Sequence, residues 1–410
     1  MRRIIKKLTA AAALAVMLVM GAVGYLDWAL PDDYYTSAPE AFGLPQYQLL
    51  TVERQGGAEA VRTALNPVKD EQVTLMLGGV VPVKTVSLHQ TEKRYLVPCG
   101  TPFGLKLIAD GIMVVGLSPV ETLAGIQCPA QSAGLRKGDI IRAANGVSLS
   151  SFQQLAEMVE KAGGQTLRLS VVRGGDAFEA LVTPVQSVSG VFQCGLWGRD
   201  SSAGIGTVTF YDPVTGAFGG LGHGVCDVDT GDLMPLGSGE VVQASILDVV
   251  PGTAGSPGEL RGSFSSGFSA GILLKNTTSG VFGLLRTAPV RSGPVEVCPR
   301  QEVVAGPALI LATLSGNEPA VYSIEIERVS YTDGSASKNM VIRVTDPNLL
   351  AITGGIVQGM SGSPILQDGR LVGAVTHVFV NDPQRGYGIF AENMIDELDG
   401  TKVYGDEKAS

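Results

Sequence analysis

The residues best suited to chemistry lie near the carboxy terminus, in Gly359-Met360-Ser361-Gly362-Ser363-Pro364. A serine framed by glycines suits a nucleophile on a tight turn, because glycine accepts backbone conformations that other residues avoid. The N–H groups beside such a serine can aim at one point, where the oxyanion of a tetrahedral acyl intermediate would sit. Gly359 and Ser361 would supply those two N–H groups. A serine hydroxyl is weak alone and needs a base, and the base needs an orienting group. Only three histidines occur, His89, His223 and His377. His223 sits in Gly219-Gly220-Leu221-Gly222-His223-Gly224, where glycines on both sides allow an exposed, tightly turned backbone. The glycine spacing there is not that of a dinucleotide-binding loop.

The surrounding elements must hold these groups. Ile205 to Phe210 reads as a strand ahead of His223. Ile365-Leu366, the turn Asp368-Gly369 and Leu371 to Val375 read as a hairpin behind Ser361. Pro383 to Gly386 and Tyr387 to Phe390 continue as loop and strand, and Glu392 to Leu398 as a short helix. The hairpin succession resembles that of trypsin-like peptidases, which implies a double β-barrel and the chain order base, carboxylate, nucleophile. His223 and Ser361 fit that order, whereas His377 follows the serine and falls on the substrate-pairing strand. Asp346, at the end of the alternating strand Ile342 to Thr345, is the carboxylate expected between them. Asp227, Asp229 and Asp232 lie too close to His223 for the usual arrangement but stay open as alternatives. One histidine beside Cys226 makes an incomplete metal site. Cys226 therefore reads as a small core residue, and no metal or cofactor is expected.

The middle of the chain carries a second pattern. Ala133-Gly134-Leu135, Gly138-Asp139-Ile140-Ile141 and Asn145-Gly146 resemble the bacterial PDZ family. Ser151 suits the cap of a helix whose Phe152, Leu155 and Val159 recur at helical spacing, and Leu167 to Val172 alternates as a strand. The PDZ resemblance implies a groove that takes an extended peptide by strand addition and holds its carboxylate on loop N–H groups. That loop is expected at Pro102 to Leu105, with Phe103, Gly104 and Leu105 as peptide-binding residues.

At the amino terminus, Arg2, Arg3, Lys6 and Lys7 precede an apolar run from Leu8 to Leu26. Its length approaches the ~20 residues that span a bilayer, and positive charges in front keep the tip cytoplasmic. A membrane anchor, or alternatively a signal peptide, is expected, with the body of the protein outside the cytoplasm. The remaining composition excludes more than it selects. A net charge of −9 with dispersed basic residues argues against nucleic-acid binding. The 54 glycines have no period of three, which excludes collagen and suits many turns. Five cysteines without a CxxC pair give no legible disulfide framework.

The anchor, the PDZ pattern, the His223 segment and Val357 to Pro364 with Ala374-Val375-Thr376-His377-Val378 together resemble the stage IV sporulation protein B peptidase family. The resemblance implies a serine endopeptidase with His223, Asp346 and Ser361 as its triad. It further implies self-cleavage and cleavage of a membrane-complex regulator, stage IV sporulation protein FA, in the intermembrane space of the forespore, triggering intramembrane processing of pro-sigma-K. Met360 stands where zymogen-activated trypsins carry an acid, so activation is not expected through a new amino terminus. The expected fold is mostly β, with a cytoplasmic tip and anchor at 1–30, a linker and N-terminal region with the self-cleavage zone at 31–95, strand-like from Thr74 to Leu88 with a break at Gly78-Gly79, a PDZ domain at 96–185 and a peptidase domain at 186–404. The segment Gly252 to Gly306 finds no place in this scheme. Two other functions stay open: a general envelope quality-control protease, and a non-catalytic PDZ docking protein.

Overall fold

The structure, a computed structural model, describes residues 2–54, 70–290, 292–331 and 337–399. Helix α1 (Arg2–Ala29) contains a stretch, Ile5–Ala29, long and apolar enough to cross a membrane. Lys84 secures its far end by donating from Nζ to the carbonyls of Asp27 and Leu30, at 3.0 and 2.6 Å. A cation there meets the exposed carbonyls and negative dipole end of the helix.

The residues behind α1, within the expected linker and N-terminal region at 31–95, form a sheet of their own. Strands β1 (Asp33–Thr36), β2 (Leu50–Arg54), β3 (Asp70–Leu77) and β4 (Val81–Gln90) form a sheet in the order β1-β4-β3-β2. Alternating Val73, Leu75, Val86 and Leu88 bury one face with Leu30 and Tyr34, giving this region its own small core. Residues 55–69 of the expected self-cleavage zone lie outside the described residues.

Strand β5 (Tyr95–Pro98) leads into the long β6 (Pro102–Leu117). The PDZ elements follow: β7 (Val120–Thr122), β8 (Gly125–Gln127), α2 (Pro129–Ser132), β9 (Ile140–Ala144), β10 (Val147–Ser148), α3 (Phe152–Ala162), β11 (Leu167–Arg173) and β12 (Asp176–Val182). Ser151 caps α3, its hydroxyl accepting from the Gln154 N–H, and left-handed Gly163 ends the helix. Leu155 and Val159 turn inward against Leu167, Leu169 and Val171.

After β13 (Val185–Gln186) and β14 (Phe192–Gln193) comes a second long strand, β15 (Leu196–Tyr211). The strands β16 (Ala217–Gly220), β17 (Leu236–Val250), β18 (Glu259–Thr277) and β19 (Gly280–Leu285) complete a first barrel. Its order is β6-β17-β18-β19-β16-β15, and pairing of β6 with β15 closes the ring. The glycine-rich segment that found no place in the sequence scheme therefore supplies two strands of this barrel. Beyond β20 (Val295–Glu296), a second closed barrel runs β21 (Gly306–Ala312), β22 (Ala320–Val329), β23 (Met340–Val344), β26 (Asp382–Phe390), β25 (Arg370–Phe379), β24 (Pro364–Gln367). Helix α4 (Pro347–Thr353) follows β23, and α5 (Ala391–Asp399) ends the described chain.

One expectation needs correcting. The PDZ domain does not simply precede the peptidase domain; it is spliced into the first barrel. The first halves of β6 and the second half of β15 are barrel strands, with Leu105 paired to Gly204 and to Val241. The other halves belong to the PDZ sheet, where Met113 pairs with Arg199 and with Ile140. The expected boundaries at 96 and 186 thus miss the two crossing points, because strand pairing between residues so far apart leaves no local mark in the sequence.

Candidate active site

Ser361 lies on the turn entering β24, and the hairpin behind it forms as expected, with Asp368 and Gly369 both left-handed. Gly359 and Gly362 have φ of +96° and +95°, values that glycine tolerates and L side chains rarely adopt. Between them Met360 is fully buried in the second-barrel core and fastens the loop. Its N–H donates to Val357 O, the Gly362 N–H to Val375 O and the Ser363 N–H to Met360 O. The N–H groups of Gly359 and Ser361 have no hydrogen-bond partner among the described residues, as donors reserved for an oxyanion would be.

Thr207, on β15 and almost fully buried, touches this loop from the first barrel. Its Oγ1 donates to Gly359 O at 2.8 Å and its N–H to Ser361 O at 3.1 Å. Its own carbonyl accepts from the Leu221 N–H at 3.2 Å, two residues before His223. Leu221 is buried with φ +66°, an unusual state for a branched side chain and a sign of backbone strain beside a functional group.

His223 follows on the loop after β16. Its Nδ1 lies 2.9 Å from Gly224 O, so Nδ1–H donates there and Nε2 keeps its lone pair. Burial holds its pKa below the ordinary imidazole range, partly offset by that carbonyl, which leaves the ring neutral and basic near neutral pH. The His377 ring on β25 lies 4.8 Å away, centroid to centroid, tilted by 38°. Desolvation, then His223 and Lys338, lower the His377 pKa as well. Ser361 Oγ donates to Thr376 O at 2.7 Å. Ser361 and His223 therefore border adjacent residues of β25, Thr376 and His377, with the serine hydroxyl directed at the backbone.

Asp346 makes no hydrogen bond to His223 or Ser361 among the described residues. It caps α4, its carboxylate accepting from Asn348 N, Leu349 N and Ser323 N. Those bonds, the one from Leu349 foremost, lower its pKa. It sits at the corner after β23, at the start of a helix whose far end touches the first barrel through the Gly252 N–H and Thr353 O. An Asp followed by Pro at the first helical position is a cap signature that the sequence already carried. Asp227, the alternative, is buried and held by Arg199, and Asp229 also pairs with Arg199, at 2.7 Å. Cys226 is exposed rather than a core residue.

The expected peptide loop of the PDZ domain is also corrected. Phe103 and Leu105 are buried in the first-barrel core with Phe218 and Leu221, and Gly104 lies against Val242 and Phe264. Phe103 thus buttresses the His223 loop. A groove of about 610 Å³ lies instead between α3 and the start of β15, lined by Phe152, Leu155, Ala156, Val159, Leu196 and Trp197. Over Leu196–Arg199 one edge of β15 pairs with β6, and no strand among the described residues takes the other. An open edge facing an apolar helix suits an added peptide strand. The signal was Gly195-Leu196-Trp197-Gly198, a glycine-flanked apolar pair behind the PDZ strands rather than ahead of them.

Two protein-family models match the chain. The family described as SpoIVB peptidase S55 matches residues 190–395, and a PDZ domain family matches residues 123–173. HhoA of Synechocystis sp., a candidate serine protease, is 30% identical over 130 residues, which is 30% of this chain and 31% of that protein. The zinc metalloprotease RasP of Shouchella clausii is 35% identical over 69 residues, 17% of this chain and 16% of that protein. The chain thus spans under a third of the length of these curated relatives. Among solved structures, the active form of the Rv3671c protease from M. tuberculosis aligns over 49% of this chain and 76% of its own, at 13% identity and a TM-score of 0.28.

Proposed function

Because the chain belongs to the SpoIVB peptidase S55 family, we propose that it is a serine endopeptidase in which Ser361 is the nucleophile and His223 the base. The observation that carries this is the Ser361 loop. A hydroxyl lies beside two unengaged N–H groups, at the step of β25 where a neutral imidazole also arrives. In the reaction the Ser361 hydroxyl turns from Thr376 O to His223 Nε2 and attacks the scissile carbonyl. His223 takes its proton and returns it to the leaving amine, and water repeats the sequence to release the acyl group. Gly359 and Ser361 N–H hold the oxyanion, each worth about 3–4 kcal/mol by analogy with other acyl-transfer enzymes. Gly224 O fixes the imidazole tautomer in this arrangement, the task the sequence assigned to Asp346.

The signalling role rests on family membership. In that role α1 anchors the chain, the barrels work outside the cytoplasm, the protein trims itself ahead of the PDZ domain, and it then cuts stage IV sporulation protein FA to trigger pro-sigma-K processing. The test compares full-length wild type and Ser361→Ala in detergent, each alone and with purified stage IV sporulation protein FA, by intact mass. Serine-dependent cuts ahead of residue 95 and at few sites in the partner are expected. Broad degradation of unfolded casein by the wild type would favour a quality-control protease instead.

A further inference from the structure

The strand that offers its open edge to the PDZ groove is the strand that grips both catalytic loops. β15 begins at the groove with Leu196 and Trp197. Two residues later Arg199 pairs with buried Asp227 and with Asp229, on the loop that follows His223. Further along, Thr207 bonds to Gly359 and Ser361 on one side and to Leu221 on the other. No flexible linker separates these points, since β15 pairs with β6 from Leu196 to Thr207 with two register shifts.

We propose that Thr207 is a positioning residue for the nucleophile loop and that β15 transmits the state of the PDZ groove to Ser361 through it. Thr207 Oγ1 and N–H fix the carbonyls of Gly359 and Ser361, and so hold the 359–360 and 361–362 peptide planes, each next to a plane that carries one of the two unengaged N–H groups. The two N–H groups that face the oxyanion belong to the same three-residue turn, so a small twist of β15 re-aims them. A peptide strand added at Leu196–Arg199 changes the twist of the strand it joins. Packed interfaces turn shifts below an ångström into changes of state.

This inference rests on Ser361 being the nucleophile, and the experiment separates the two claims. The rate of Ser361 phosphonylation by a fluorophosphonate probe is measured on full-length protein, with melting temperature recorded for each variant. Thr207→Val removes the hydroxyl at constant shape, Thr207→Ala serves in its place should the valine not fold, and Thr207→Ser restores the donor. Ala156→Trp fills the groove in place of a peptide. Expected are labelling at least ~10-fold slower without the hydroxyl, recovery with serine, and a rate change on groove filling in the wild type that vanishes in Thr207→Val. A wild-type rate in Thr207→Val, or an equal effect of Ala156→Trp in both backgrounds, or no effect in either, overturns the inference while leaving the nucleophile in place. An unlabelled wild type removes both.

Discussion

Ser361 donates its hydroxyl to the carbonyl of Thr376 at 2.7 Å, and not to His223. The serine hydroxyl is therefore held on the backbone of the strand that carries His377, whose ring packs against that of His223. The N–H groups of Gly359 and Ser361 beside it have no hydrogen-bond partner among the described residues.

The His223 imidazole should control the acid limb of the pH–rate profile. Its pKa is lowered from 6.5 by burial, and the base works only when neutral. kcat/KM for a peptide substrate should therefore rise with pH and level off with a midpoint below 6.5. A midpoint above 7 would mean that a carboxylate faces the ring in the free enzyme, contrary to the geometry.

Asp346 provides the sharpest contrast between helix cap and triad member. As a cap, Asp346→Ala should cost about 1 kcal/mol of stability in urea unfolding, while Asp346→Asn keeps the cap and leaves kcat/KM within about threefold. An orienting carboxylate would instead lose about 10⁴-fold in kcat on the asparagine change. That loss at wild-type stability would restore Asp346 to the triad.

The Ser361 turn was legible in the sequence because everything it needs is local: two glycines, a buried methionine and a two-residue hairpin behind. Scarcity singled out His223. What stayed hidden depended on pairing at long range. Consecutive segments usually neighbour each other, so Phe103 was read with the PDZ elements that follow it, whereas its strand pairs with Gly206 and Gln243. Phe103→Ala should consequently behave as a barrel-core truncation, costing about 3–5 kcal/mol, and selective loss of PDZ peptide binding at unchanged stability would contradict that placement.

Gly362 should tolerate no side chain. Its φ is +95°, and a Cβ there would overlap Thr207 O and come within 2.6 Å of Leu221 N. Backbone strain alone costs about 1–3 kcal/mol, and relief would push the nucleophile loop from the first barrel. Gly362→Ala should lower the melting temperature and abolish fluorophosphonate labelling; wild-type values for both would show the junction to be looser than described.

The most direct measurement is intact mass after fluorophosphonate treatment of full-length wild type, Ser361→Ala and His223→Ala, with thermal melting of each. One adduct on wild type, located by peptide mapping to Ser361, and none on either variant at unchanged melting temperature is the predicted result. An adduct on Ser361→Ala equal to that on wild type, or a folded wild type that takes none, would contradict a Ser361–His223 centre.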